Sequence, residues 1–142
     1  MAESKYAIYI ITDLKRKFTS PYEEEKGAEE QTEILALDDS IIKGAFLVET
    51  LWFWPERMKR KSPDVKPHKH DYDEVLAMFG TNLEDPHDLG GEVEAWLGDE
   101  KHIINKSCII FIPKGLQHGP LRFTRLDKPI FHFGIGLTKK YI

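Results

Sequence analysis

The chain has 142 residues, of which 41% are hydrophobic and 31% charged, with a formal net charge of -4 and an isoelectric point near 5.9. This length accommodates one domain with its own hydrophobic core, and the acidic balance provides no overall basic field to attract nucleic acid or an anionic membrane. The single cysteine, Cys108, excludes an internal disulfide and a cysteine-based metal cluster.

No stretch of the chain is apolar enough and long enough to cross a bilayer. Residues 6–11 form an apolar segment near the N-terminus, but it is shorter than the hydrophobic region of a signal peptide and no small-residue cleavage site follows it. We therefore expect a soluble protein of the cytoplasm.

Short segments rich in β-branched and aromatic residues recur between turn signals, which is typical of an all-β protein. A tight hairpin is expected at Gly98-Asp99 and a turn at residues 113–115. The only helix expected is a turn or two in the acidic stretch after Pro21, and residues 12–32 and 80–91 are interpreted as surface loops. Amphipathic helical stretches are lacking, which favours a sandwich or barrel over an α/β fold. The predicted strands are residues 6–11, 44–54, 75–79, 92–97, 108–112, 121–124 and 130–137.

Three potential metal ligands stand close together around residues 67–74. His68 and His70 lie two residues apart, so on an extended segment both rings leave from the same face. Glu74 follows four residues after His70, and either a continuous strand or a tight reversal at residues 71–73 returns its carboxylate to that face. Imidazole nitrogens with one carboxylate oxygen form a ligand set suited to Fe, Mn, Ni, Co or Zn.

A fourth potential ligand, His118, follows the predicted turn. Residues 111–118 indicate a strand, a turn containing Pro113 and Gly115, and a histidine at the start of the returning strand. Such a turn aims His118 back at the sheet. Three imidazoles and one carboxylate leave one or two open positions on a five- or six-coordinate ion, as substrate or water binding requires.

These two stretches resemble the two sequence motifs of the cupin superfamily, HxH followed after three or four residues by Glu, and PxGxxH. The resemblance implies a double-stranded β-helix, or jelly roll, in which His68, His70, Glu74 and His118 hold one divalent metal ion. It extends over about residues 44–137, so the chain divides into an N-terminal extension with an added strand, residues 1–43, and a cupin barrel, residues 44–142. The departures from the pattern, among them Ser62 in place of a glycine, lie outside the ligands.

For several residues the sequence does not decide which strand face they occupy. The two tryptophans share one face, where packing in a core or a dimer interface is favoured over lining a cavity. An arginine inside such a barrel is costly without an acidic partner or an anionic substrate, so the outer surface is favoured for it. One histidine alternates with phenylalanines on the final strand and is a candidate for the pocket. These residues are Trp52, Trp54, Arg122, His132 and Gln117.

Two functions fit this pattern, and the sequence assigns no catalytic residue to either. The first is a metal-dependent enzyme acting on a small organic molecule, of the dioxygenase, decarboxylase or isomerase type that cupins include. The second is a non-catalytic binding or sensor module that uses the same ion to hold a small molecule. A homodimer is also expected, because residues 6–11 could add a strand to a partner's sheet.

Overall fold

The computed structural model of the chain describes residues 4–15, 31–58 and 66–139. Within these ranges two antiparallel sheets pack face to face, which confirms the predicted all-β jelly-roll fold. No helix in the described ranges has the length and apolar character needed to span a membrane. The strands are β1 (Gln31–Leu37), β2 (Leu47–Phe53), β3 (Glu74–Phe79), β4 (Asp88–Leu97), β5 (Glu100–Lys106), β6 (Cys108–Ile112), β7 (His118–Leu126) and β8 (Ile130–Gly136), and one helical turn, α1 (Pro55–Met58), follows β2.

The larger sheet has the strand order β1-β2-β8-β3-β6 and the smaller one the order β5-β4-β7. Side chains alternate across each strand, so every second residue points between the sheets. In β2 this gives strict alternation of buried and half-buried residues. At one end of the barrel the inward residues form the apolar core, which includes Leu51, Phe53, Met78, Val93 and Phe123.

Toward the other end the inward rows of the larger sheet contain acidic side chains and glycines beside apolar residues. Glu74 and Gly136 share one inward row, and Glu49 and Gly134 share the next. His132 lies in the row after that, beside Leu51 and Met78 of the core. The two glycines on β8 carry no side chain into the barrel, which leaves room between the sheets at this end.

The structure corrects the N-terminal part of the prediction. Residues 6–11 contain a short 3-10 helix, Ala7–Tyr9, where we predicted a strand. Local bonds from Tyr9 N to Tyr6 O and from Ile10 N to Ala7 O satisfy this backbone, and no strand lies beside it in the described ranges. A strand without a neighbour cannot satisfy its backbone groups within the chain, so the local helix forms instead.

Other boundaries also differ from the sequence prediction. Strand β1 was missed and occupies the end of the predicted extension, where it pairs with β2 of the predicted barrel. Strand β4 begins at Asp88, inside a segment predicted as a loop. The helix expected after Pro21 falls outside the described residues, and the division at residue 43 stays a prediction.

Candidate metal centre

Backbone hydrogen bonds bring the two histidine-bearing segments together. His68 N donates to His118 O at 2.9 Å, and His118 N donates to His68 O at 2.8 Å, which forms an isolated antiparallel bridge. The turn before His118 is joined to the same segment by Gly115 N, which donates to His70 O at 2.9 Å. Gly115 has a φ of 84°, a conformation that glycine adopts without steric cost. The turn therefore places His118 beside both residues of the HxH pair, as the sequence predicts.

The three histidines form one cluster. One ring nitrogen from each of His68, His70 and His118 lies within 4.8 Å of the other two. His68 Nδ1 lies 2.7 Å from Lys66 O and His118 Nδ1 lies 3.0 Å from Leu116 O. A carbonyl can only accept, so each Nδ1 carries the proton and Nε2 of the same ring keeps its lone pair. This tautomer is the one that a metal ligand bound through Nε2 requires.

His70 is held by an aromatic neighbour rather than by a turn. Its ring stacks on that of Tyr72, with centroids 4.7 Å apart and planes inclined by 15°. Tyr72 in turn lies over Gly136, where an added Cβ atom would stand only 2.8 Å from Tyr72 Cε2. Glycine at residue 136 thus allows the tyrosine to approach closely, and the tyrosine orients the histidine.

Glu74 joins the cluster at the first residue of β3. The chain bends at residues 71–72 just before it, so the segment from His70 to Glu74 is not one continuous strand. Glu74 Oε2 lies 3.2 Å from His70 Nε2, and Glu74 Oε1 lies 4.0 Å from His118 Nε2. Burial, with the charge of Glu49 as a smaller cause, raises the pKa of Glu74 to about 7. Burial also lowers the pKa of His118 to about 4, so this imidazole is neutral at pH 7.

The cluster forms part of the wall of a cavity of about 70 Å³ between the two sheets. Most of the wall is apolar, with leucine, isoleucine, alanine, tryptophan and glycine residues from both sheets. In the part of the chain that the structure describes, no lysine or arginine lines the cavity. Apart from the cluster, its titratable side chains are Glu49 and His132.

Sequence reasoning missed Glu49 as a candidate. It is 9% exposed and lies on the inward face of β2, in the same alternation as Leu47, Leu51 and Phe53. The signal was present, because an acidic residue on an otherwise apolar strand face is costly to bury unless it has a role.

His132 lines the cavity, as one reading of the sequence allowed, at 1% exposure. Its Nδ1 lies 2.9 Å from Ala77 O and its ring packs against Phe53. Burial lowers the pKa of His132 to about 4, with the bond to Ala77 opposing the shift. His132 therefore stands in the wall as a neutral imidazole.

The other residues left open by the sequence lie outside the cavity. Trp52 and Trp54 stack on each other at 5.3 Å on the outer face of the larger sheet, so neither lines the cavity. Arg122 points outward, where its Nε lies 3.5 Å from Glu94 Oε2, and Gln117 is exposed.

The residues present fit a divalent transition-metal ion. His118 Nε2 is buried and has no hydrogen-bond partner among the described residues. A buried polar atom that no protein group satisfies indicates an external partner. Three imidazole nitrogens and one carboxylate oxygen at this spacing supply the donor types that Fe, Mn, Ni, Co and Zn accept.

Comparison with known proteins finds similarity in structure but not in sequence. No family model matches the chain, and no curated protein matches it. A protein described as a predicted oxalate decarboxylase from Thermotoga maritima superposes with a TM-score of 0.51 at 14% identity, over 76% of this chain and 78% of that one. An oxalate oxidase in complex with the substrate analogue glycolate gives a TM-score of 0.55 at 12% identity, over 94% of this chain and 61% of that one.

An RmlC-like cupin from Shewanella frigidimarina also matches, with a TM-score of 0.46 at 12% identity, over 78% of this chain and 77% of that one. The chain thus spans about three quarters of the length of two of these proteins and less than two thirds of the oxalate oxidase. At such low identity the likeness concerns the fold alone.

Proposed function

We propose that this chain, which has the cupin fold, binds one divalent transition-metal ion and acts with it as an enzyme on a small organic molecule. One observation carries the proposal: three histidine nitrogens within 4.8 Å of one another, with Glu74 3.2 Å from His70, lie in the wall of a largely apolar cavity. Four protein ligands leave a five- or six-coordinate ion with positions to spare. When bound, the ion supplies a Lewis acid that polarises an oxygen of the substrate.

The walls of the cavity support a proposal for the class of substrate. Their apolar side chains favour a small molecule with an apolar body, and the histidine cluster favours oxygen donors at one end. Glu49 adds a second carboxyl group beside Glu74, and the described lining residues include no lysine or arginine. A dianion such as oxalate would stand near two acidic groups with the metal as its only positive partner. We therefore favour an oxygen-rich substrate that carries no more than one negative charge.

Glu49 is the residue that we propose for proton transfer. It faces the cavity from β2, one inward row along the sheet from Glu74, and it is not needed as a ligand in a four-ligand set. In its ionised form a carboxylate in a mostly apolar wall can accept a proton from a bound substrate, and the carboxylic acid that forms can return this proton at a neighbouring atom, as general acid–base catalysis requires. His132 lies farther along the same wall and holds its Nδ1 proton against Ala77 O, so it shapes the cavity.

A matched pair of variants tests this function. The protein is loaded with Fe(II), Mn(II), Ni(II), Co(II) or Zn(II), and each form is mixed with uncharged diketones and hydroxyketones and with glycolate and oxalate. Binding is measured by calorimetry, and turnover by product detection and an oxygen electrode. Glu49→Gln should keep the metal and the ligand but lose turnover by a factor of about 100 or more, a usual contribution of one acid–base group. Glu94→Gln, on the outer face of β4, should retain full activity.

The outcomes separate the competing functions. Ligand binding without turnover in every metal form would indicate that the protein is a binding or sensor module and not an enzyme. Oxygen consumption by the Fe(II) form would indicate dioxygenase chemistry, whereas product formation without oxygen would favour a decarboxylase or isomerase. Absence of metal binding under loading conditions would overturn the proposal as a whole.

A further inference from the structure

Strand β7 contains an extra residue between the apolar core and the metal centre. Its pairing with β4 is regular from Phe123 to Leu121, which lies opposite Ala95. The register then shifts, and the next pair consists of Leu97 on β4 and His118 on β7. Two residues of β7 therefore lie opposite a single residue of β4. Two residues that face one across a pair of antiparallel strands form a β-bulge.

The bulge determines which face of the smaller sheet His118 occupies. Side chains alternate along a regular strand, and Leu121 and Phe123 point inward as members of the apolar core. Strict alternation from these two residues would place His118 on the outer face, together with Arg122. Instead, His118 is 5% exposed and lines the cavity. The extra residue reverses the alternation, so that the core residues and the proposed ligand all point between the sheets.

The two residues of the bulge, Gly119 and Pro120, both suit this local structure. Gly119 has a φ of 94°, a left-handed conformation that glycine adopts freely and that strains a residue with a β-carbon. A glycine with positive φ at the first residue is typical of one common type of bulge. Pro120 has no N–H group to donate, and proline within sheets is confined to edge strands and bulges. The residue types at positions 119 and 120 therefore favour the bulge over a regular strand.

Hydrogen bonds hold the backbone on the other side of the bulge. His118 N donates to His68 O at 2.8 Å, and His118 O accepts from His68 N at 2.9 Å. The preceding carbonyl, Gln117 O, accepts from Gly98 N at 2.7 Å, just beyond β4. The core fixes Leu121 and these bonds fix His118, so the number of residues between the two decides the direction of the histidine side chain.

We propose that Gly119 is a positioning residue of the metal centre, because the bulge that it permits turns His118 from the outer face of the smaller sheet into the cavity. On the outer face the ring would lie beside Arg122 Nε and Glu94 Oε2, which are 3.5 Å apart, with the sheet between it and the other proposed ligands. Bulges next to active sites re-aim side chains in this way. The effect of Gly119 on metal affinity rests on the proposed function, whereas the direction of His118 can be measured without metal.

Two changes to the bulge should have opposite effects on His118. Gly119→Val places a β-branched residue where φ is positive, so β7 should adopt the regular register and turn His118 outward. Deletion of Pro120 removes the extra residue, and the two steps left between His118 and Leu121 fit a regular strand with both side chains inward. Gly119→Val combined with this deletion should therefore recover what the single substitution loses. Removal of a neighbour would not rescue a glycine that served stability alone.

Chemical modification of histidines in the metal-free full-length protein measures the direction of His118. Diethyl pyrocarbonate acylates accessible imidazoles, and mass spectrometry identifies the modified residues. In the wild type the exposed His102 should react, whereas the buried His118 and His132 should be protected. In Gly119→Val, His118 should react while His132 stays protected, which would show that the core is retained. His118 should be protected again in the combined variant and in the variant with the deletion alone.

Titration with Co(II), followed by visible absorption, measures the metal affinity of the same proteins. Gly119→Val should weaken binding by about 10-fold or more, as for other residues that orient a ligand. The combined variant should regain the affinity of the wild type. Gly44→Val is the matched control, because Gly44 also has a positive φ, 89°, and an added Cβ atom there would meet nothing within 4 Å. This control should change neither the modification pattern nor the metal affinity.

Several results would overturn the inference. One is a folded Gly119→Val protein in which His118 stays protected or the Co(II) affinity is unchanged. Another is a reactive His118 after deletion of Pro120 alone, a variant that tests the role of the bulge even if Gly119→Val does not fold. A wild type that binds no Co(II) would contradict the proposed function instead, and the modification of His118 in the metal-free variants would still decide whether the bulge directs this side chain.

Discussion

The neutral state of His132 has a measurable consequence for stability. The side chain is 1% exposed, and its pKa falls from the ordinary 6.5 to about 4 in the folded chain. As the pH falls through this interval, His132 becomes protonated in the unfolded chain but stays neutral in the folded chain. The contribution of His132 to the free energy of unfolding is therefore complete above pH 6.5 and is lost as the pH falls toward 4. At 1.36 kcal/mol for each pH unit, the difference between these two pKa values corresponds to roughly 3 kcal/mol.

Asparagine at this position separates the charge from the hydrogen bond. His132→Asn removes the titration but can still donate a hydrogen bond to Ala77 O, at some loss of packing. Urea unfolding of the metal-free protein from pH 8 to pH 4 gives the free energy of unfolding at each pH. Between pH 8 and pH 4 the free energy of unfolding of the wild type should fall by roughly 3 kcal/mol more than that of the variant. The control variant His102→Asn, at an exposed histidine, should show the same pH dependence as the wild type. A constant difference between wild type and His132→Asn at all pH values would refute the reasoning.

Two further substitutions test the support of the metal centre. Gly136→Ala should displace Tyr72, because the new Cβ atom would lie 2.8 Å from Cε2 of its ring, and metal affinity should fall by about 10-fold as for other residues that orient a ligand. Gly134→Ala is the matched control, because its Cβ atom would meet Leu76 Cδ2 at 3.3 Å and Val75 O at 3.9 Å but not the ring of Tyr72. Glu49→Gln should lower the pKa of Glu74 in the metal-free protein, because it removes the charge of Glu49, and carboxyl carbon chemical shifts measured against pH would record it.

The extent to which the sequence predicted this structure depends on how local each signal is. Strand β6 was predicted at its observed bounds, and the two histidine segments were placed correctly because turn residues and even spacing act within a few residues. The segment at residues 6–11 had the composition of a strand but has no neighbour to pair with in the described ranges. Whether a segment becomes a strand depends on distant residues, and a single sequence contains no record of such pairing.

The residues that line the cavity were hard to predict for the same reason, because strand pairing places them. The four proposed ligands were recognisable from their spacing, but the face on which Glu49 and His132 lie depends on strand register. A shift by one residue reverses every side chain of a strand. The outer aromatic face was equally hidden, because Trp52 and Phe131 lie far apart in the sequence and become neighbours only when β2 and β8 pair.

Metal content tests the central claim of this account most directly. The wild type and two single variants, His118→Ala and His102→Ala, are purified without chelator, loaded with Fe(II) or Mn(II), dialysed and analysed for metal. We predict one ion per chain in the wild type and in His102→Ala. His118→Ala should lose most of the metal while its circular dichroism keeps the β-rich form. Equal metal content in the wild type and His118→Ala, or no metal in either, would contradict the assignment of the site.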